Sequence, residues 1–270
     1  METVKKWEFP NQFQQEGAIS SPPLRAQLLL RNYQLCAKSS LLELLDPLMR
    51  QRLIMYVEKA PPLDEELLSF EELRKKKKVK IFTYGSLLHP VSASFDLKGP
   101  GRSMLTFGIK RVFNYEESQL GKNRLGLPSP ENALETAKLN VLPTGRSSDF
   151  LPGAVYEVDE EDLLRLEKRE KGYMWKKIHV MDFDEVVHGI LPEMEEAYVL
   201  ILPEQKLKQK SFPHQSYLNV CLEGARRFGK RFLKLFANTT YLADGETTIL
   251  EWLRDEVIHM NLEMIPVMHK

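Results

Sequence analysis

The sequence predicts an α+β fold in which a strand-rich middle is set between helical ends, and three observations predict it. Residues 24–78 carry apolar side chains at helical spacing, and residues 79–202 hold short β-branched and aromatic runs broken by Gly and Pro. From about residue 216 the helical period returns. At 270 residues the chain has room for one large domain or two smaller ones. The change of pattern near residue 78 divides it into an N-terminal arm and helical segment, 1–78, and a domain of 79–270 with a helical C-terminal part.

Residues 1 to about 20 combine Trp7 and Phe9 with Pro10, a Gln-rich patch and Ser20-Ser21-Pro22-Pro23, which predicts an extended or disordered arm. Leu24, Leu28, Leu29, Tyr33 and Leu35 then predict a first helix. A second carries Leu41, Leu42, Leu44, Leu45, Leu48, Ile54 and Met55, with a break at Asp46-Pro47 and a stop at Pro61-Pro62. A third helix is expected from about Asp64 to Lys76, ending in the run Lys75–Lys78, which suits a solvated helix end favoured by the helix dipole.

Val79 to Tyr84 predicts a strand that ends at Gly85-Ser86. Met104 to Asn114, Lys138 to Leu142, Phe150 to Val158, Tyr173 to Asp182 and Ala197 to Leu202 predict further strands, and Gly153 marks a bulge or a close backbone approach. Residues 115–136 form a long loop, of the kind that serves as a lid or as a plain insertion. Asp159 and Asp162 have the spacing of a reciprocal N-cap for a short charged helix that Gly172 would close. Residues 216–236 predict one amphipathic helix with Tyr217, Cys221, Ala225, Phe228 and Phe232 on its apolar face, and Ile249–His259 predicts a last helix.

Composition excludes several function classes. Hydrophobic content of 43% and charged content of 28% belong to a soluble globular protein. Lys plus Arg and Asp plus Glu both number 38, so the net charge is zero and nothing global attracts nucleic acid or an anionic membrane. Met1 to Trp7 lacks the apolar core of a signal peptide and no window reaches membrane-spanning length, so a cytoplasmic location is expected. Cys36 and Cys221 lie in helical apolar patterns and are expected to be reduced core thiols. The six histidines show no metal-ligand spacing, and no metal site is expected. Without a phosphate-binding glycine loop or a Gly-x-Ser-x-Gly elbow, neither a nucleotide cofactor nor a serine hydrolase is expected.

What remains is the turn Tyr84-Gly85-Ser86-Leu87 at the end of a buried strand. Such a turn presents backbone N–H groups to a carboxylate or phosphate, although an ordinary tight turn uses the same residues. Carboxylates are plentiful. Glu170 sits where the charged helix meets the next strand, but pattern alone does not separate it from Glu167, and most glutamates of such a helix are solvated or paired with neighbours such as Arg169.

The order of these parts resembles the γ-glutamylcyclotransferase-like family. Phe82-Thr83-Tyr84-Gly85-Ser86-Leu87-Leu88 is similar to the family's Tyr-Gly-Ser signature. Ile109–Asn114, Ala137–Val141, Gly153–Val158, Leu166–Tyr173 and Tyr217–Ala225 follow in the family's order, over about residues 79–240. Residues 1–78 lie outside the resemblance.

The resemblance implies a small mixed β-barrel flanked by helices, with no cofactor. It implies an enzyme in which the α-amine of a small γ-glutamyl substrate attacks its own side-chain carbonyl, closing 5-oxoproline and expelling an amine or amino acid. It places the catalytic carboxylate at Glu170, the ligand cradle at Tyr84, Gly85, Ser86 and Leu87, and a pocket-lining aromatic at Tyr217, a position that a core tyrosine would fill equally well. Many relatives carry Asn at the position of Leu87, which leaves a backbone donor in place and the substrate unnamed. The competing reading is a non-catalytic barrel whose residues 24–78 offer a surface to a protein partner or to a second copy.

Overall fold

The structure is a computed structural model that describes residues 24–37, 47–63, 66–76, 78–116, 135–170, 172–202 and 211–263. The expected N-terminal arm, the start of the second helix at 41–45, Lys77 of the lysine run, nearly all of the 115–136 loop and the side chain of Cys36 lie outside the described residues.

Two helices lead, α1 (Leu24–Ala37) and α2 (Pro47–Val57), followed by the short strand β1 (Leu67–Leu68) and helix α3 (Phe70–Arg74). Then come β2 (Val79–Thr83), a 3-10 turn (Ser86–Leu88), α4 (Pro90–Ser94), β3 (Arg102–Phe107), β4 (Ile109–Glu116), β5 (Ala137–Pro143), β6 (Phe150–Val158) and α5 (Glu160–Arg169). The chain continues through β7 (Met174–Asp182), α6 (Phe183–Val187), β8 (Glu195–Ile201), α7 (Gln215–Arg226), α8 (Lys230–Asn238), β9 (Thr240–Tyr241) and α9 (Ile249–Glu263).

Strands β7, β3, β6, β2 and β8 pair in that order, and β8 returns to β7 and closes the ring. The β2–β8 pair is parallel and the others are antiparallel, which makes the mixed barrel that was expected. Strand β1 adds to the rim through Leu67 opposite Lys176 and Leu68 opposite Trp175. A second sheet, β5-β4-β9, lies beside the barrel. Strand β6 is buried along nearly its whole length because it faces the barrel interior on one side and β4, α5 and α8 on the other. No helix among the described residues is long and apolar enough to cross a membrane.

Three expected elements differ. The strand over 104–114 is two strands in two sheets, because Gly108 takes φ 74° and turns the chain through a corner; its carbonyl accepts from Thr144 and Gly145. The amphipathic helix over 216–236 is likewise two helices, broken where Gly229 adopts φ 101°. The helix expected from Asp64 to Lys76 shortens to Phe70–Arg74, because Ser69 and Glu72 form a capping box that starts it late and the residues before it join the barrel rim.

The N-terminal helices are packed into the same apolar core as the barrel. Helix α1 lies against α7 and α9, with Leu28 and Leu29 buried, and Arg25 reaches Glu135 at 2.6 Å and Glu256 at 2.7 Å. Leu53 and Val57 of α2 and Phe70 and Leu73 of α3 belong to this core, where the Phe70 ring meets Trp175 edge-on at 5.1 Å.

Gly153 is the close approach that the sequence indicated. A Cβ at this position would lie 2.2 Å from Phe82 Cζ and 2.5 Å from the Thr83 carbonyl oxygen. The ring has some freedom, but the carbonyl is fixed by the β2–β6 ladder. Gly153→Ala is therefore expected to cost about 1–3 kcal/mol of stability, read as a lower guanidinium midpoint at unchanged slope. An unchanged midpoint would show that β2 moves freely.

Candidate active site

Strand β2 delivers the turn to the end of the barrel, and each of its residues is tied down from a different side. Tyr84 Oη donates to the Leu200 carbonyl at 2.9 Å, and Thr83 Oγ1 donates to the Ala154 carbonyl at 3.2 Å. The Tyr84 carbonyl accepts from Arg111 Nη1 at 3.0 Å, and the Leu87 carbonyl accepts from Tyr156 Oη at 3.1 Å. Gly85 is required for space, since a Cβ there would stand 2.9 Å from Tyr217 Oη. The N–H groups of Leu88 and His89 close the 3-10 turn on Gly85 and Ser86, so those of Ser86 and Leu87 have no partner within it.

Arg111 explains why the turn is so firmly held. Wholly buried on β4, it donates to Thr240 Oγ1 at 2.7 Å and, besides Tyr84, to the Pro152 carbonyl at 3.1 Å and the Phe236 carbonyl at 3.1 Å. Its guanidinium stacks over the Phe236 ring at 3.5 Å. Burial pulls it down to about 9, which leaves it protonated at neutral pH.

Helix α5 delivers the carboxylate. The reciprocal Asp159–Asp162 cap starts it as the sequence predicted, and Leu163 and Leu166 anchor it to the core. Its end differs from expectation. Glu170 itself is the C-cap, with its N–H donating to the Leu166 carbonyl at 2.7 Å, and Gly172 follows at φ 86° to lead into β7. The structure also separates the two glutamates that pattern left together. Glu167 is 43% exposed and pairs with Arg74, whereas Glu170 is 19% exposed and accepts from Arg169 Nε at 2.9 Å.

Tyr84, Gly85, Ser86, Leu87, Glu170 and Tyr217 come together around one cavity, with Leu139, Tyr173 and Trp175 completing the wall. Its volume is about 50 Å³, counted as the space open to the centres of water molecules. Tyr217 is both buried and at the cavity wall. It lines the cavity, meets Phe113 edge-on at 6.3 Å and hydrogen-bonds the Cys221 thiol, which burial pushes up to about 12 and so keeps unreactive.

Burial raises the Glu170 carboxyl above the ordinary range; Arg169 opposes this, Asp96 adds to it and Lys138 opposes it. Burial also lifts the phenols of Tyr84, Tyr173 and Tyr217 well above their usual range, with the charge of Glu170 contributing to each, so all three stay protonated. A carboxyl raised in this way holds a proton more readily than an exposed one.

Four contributors were not legible beforehand. Arg111 sits at an inward-facing strand position, and a charged residue between Ile109 and Phe113 at that parity is the signal that could have marked it. Tyr173 and Trp175 were read as strand residues, not as cavity wall, and the buried indole N–H of Trp175 has no hydrogen-bond partner among the described residues. Asp96, which binds Arg169, carried no sequence signal. No group of three His, Cys, Asp or Glu side chains among the described residues is placed to hold a metal ion.

No protein-family model matches the sequence, and no curated protein matches it. Among solved structures, the chain is similar to a gamma-glutamyl cyclotransferase, at 12% identity and a TM-score of 0.45 over 68% of this chain and 99% of that one. It is similar to an uncharacterized protein from Homo sapiens, at 15% identity and a TM-score of 0.43 over 68% of this chain and 99% of that one. A glutathione-specific γ-glutamyl cyclotransferase from yeast matches at 12% identity and a TM-score of 0.41, over 72% of this chain and 100% of that one.

Proposed function

We propose that the protein is a γ-glutamylcyclotransferase-like enzyme that releases 5-oxoproline from a small γ-glutamyl compound, with Glu170 as its general acid and base. The observation that carries this reading is the meeting of a largely buried carboxylate with the Tyr84–Leu87 turn around one small cavity.

In the proposed reaction the turn holds the γ-glutamyl head through the N–H groups of Ser86 and Leu87, while Tyr217 and Tyr173 wall it in. The substrate's α-amine nitrogen attacks its γ-carbonyl carbon, and Glu170 accepts the proton that the amine loses. The original amide C–N bond then breaks, and Glu170 returns the proton to the departing nitrogen. The products are the lactam and a free amine or amino acid, and no water is consumed. Ring closure within one molecule gains most from being held folded, which is what a small rigid pocket contributes.

The buried leucines of the N-terminal helices give that lead a role inside the protein, while Leu24, Leu30 and Leu48 remain exposed. Leu28, Leu29 and Leu53 are spent on the protein's own core, so the leucine-rich lead that motivated a partner surface has an internal use.

The test is mass-spectrometric detection of 5-oxoproline after incubating the purified protein with γ-glutamyl amino acids, γ-glutamylamines and glutathione. Release from one member is expected and names the leaving group. Silence across the panel from folded protein would overturn the reading.

A further inference from the structure

Arg169 touches both halves of the site. Its Nε meets Glu170 Oε1 at 2.9 Å and its Nη2 donates to Ser86 Oγ at 2.9 Å. The remaining donors are used on the other side, Nη1 to Asp96 Oδ2 at 2.9 Å and to the Ser92 carbonyl at 3.1 Å, and Nη2 to Ser92 Oγ at 3.1 Å. The side chains of Arg169 and Asp96 are only 12% and 4% exposed. A planar fork with its donors in fixed directions sets distances that a flexible ammonium does not.

We propose that Arg169 is a positioning residue: it ties the acid/base carboxylate of Glu170 to Ser86 of the ligand cradle, while Asp96 sets how much of its charge Glu170 feels. The proposal rests on the reading of Glu170 as the proton carrier. The Arg169 guanidinium is shared between two carboxylates, Asp96 and Glu170, so neither has its whole charge. Burial is the largest influence on the Glu170 carboxyl and raises it, and Arg169 acts against that rise. Asp96, drawing on the same guanidinium, adds to the rise and so weakens the opposition from Arg169.

The other groups facing Glu170 do not supply this balance. Tyr84 after β2, Tyr173 before β7 and Tyr217 on α7 are protonated phenols, and Lys138 on β5 adds a positive charge that favours ionisation. The charges of Glu170 and Asp96 outweigh the effect of burial on Arg169 and hold its guanidinium above its usual range, so it stays charged throughout.

The test compares the acidic limb of the kcat/KM pH profile in wild type, Asp96→Asn, Arg169→Met and Arg169→Lys, beside a 13C carboxyl titration of Glu170 assigned with Glu170→Gln. Asp96→Asn is expected to move the limb and the titration down by about half a pH unit or more, and Arg169→Met to move them up by about one unit. Arg169→Lys keeps the charge but cannot span Ser86 and Glu170, so the limb should stay in place while KM rises several-fold. An arginine that merely braces the fold would lower the melting temperature without opposite shifts.

Shifts in the same direction, or an unmoved Glu170 titration in Asp96→Asn, would overturn the proposal. If Arg169→Met does not fold, the direction of the shift in Asp96→Asn decides. If the protein shows no turnover, the carboxyl titration still reads the network, so loss of the catalytic reading and loss of this one are told apart.

Discussion

Glu170→Gln is expected to lower the release of 5-oxoproline by about 10²–10⁴-fold while leaving the fold and ligand affinity nearly intact. The amide occupies the same space and can still offer an oxygen to Arg169 Nε, which holds Glu170 at 2.9 Å in the wild type. It cannot take the amine's proton. A group used only for proton transfer should therefore reduce kcat with little change in KM.

Stability gives a second readout with a definite sign. Glu170 has its folded pKa raised, with burial as the largest cause, so the folded state binds more protons than the unfolded state across the window between the two values. Its contribution is fully present below the unfolded pKa and is lost as pH rises through the folded one. Replacing it with Gln removes that loss. At neutral pH the variant should melt no lower than wild type, and its melting temperature should depend less on pH above the ordinary carboxylate range. Initial rates and a melting series at several pH values check both points. Turnover near the wild-type rate would remove Glu170 from the proton path.

Arg111→Met is expected to destabilise the protein by about 3–5 kcal/mol. The substitution fills similar volume but leaves the carbonyls of Tyr84, Pro152 and Phe236 without this donor in a region closed to water, at about 1–3 kcal/mol for each buried acceptor left unpaired. Relief from burying a charge offsets part of the sum. Against a typical total of about 5–15 kcal/mol the loss is large. Arg111→Lys should recover little, because one ammonium cannot reach the end of β2, the start of β6 and the end of α8 together. Denaturant unfolding measures the loss, and surviving folded protein should also bind ligand more weakly, since the Tyr84 carbonyl that orients the turn is released. A change below about 1 kcal/mol would mean that the acceptors find other donors.

The Tyr84–Leu87 turn, helix α5 and most strands were legible in the sequence because their signals are local. The Asp159–Asp162 cap spans three residues, the strand that ends at Gly85 has its period and its breaker side by side, and the close approach at Gly153 showed as a glycine inside a strand. The resemblance of ordered motifs then pointed to Glu170, which spacing alone left level with Glu167. Splitting of the 104–114 strand and the 216–236 helix was not legible, because Gly108 and Gly229 reveal their left-handed turns only where a second sheet and a second helix need room.

The barrel came from the resemblance and not from local pattern, and neither the inward placement of Arg111 nor the way Arg169 bridges Ser86, 83 residues before it, and Glu170 beside it was legible. Hydrophobic period, caps and turn residues are set by neighbours within one helical turn or one strand pair, so the sequence by itself determined the elements and the residue types that could do chemistry. Which carboxylate is buried, which arginine faces it and which turn it meets depend on strand pairing across the ring, where the desolvation and charge that tune the site come into being, and only the tertiary structure decided them.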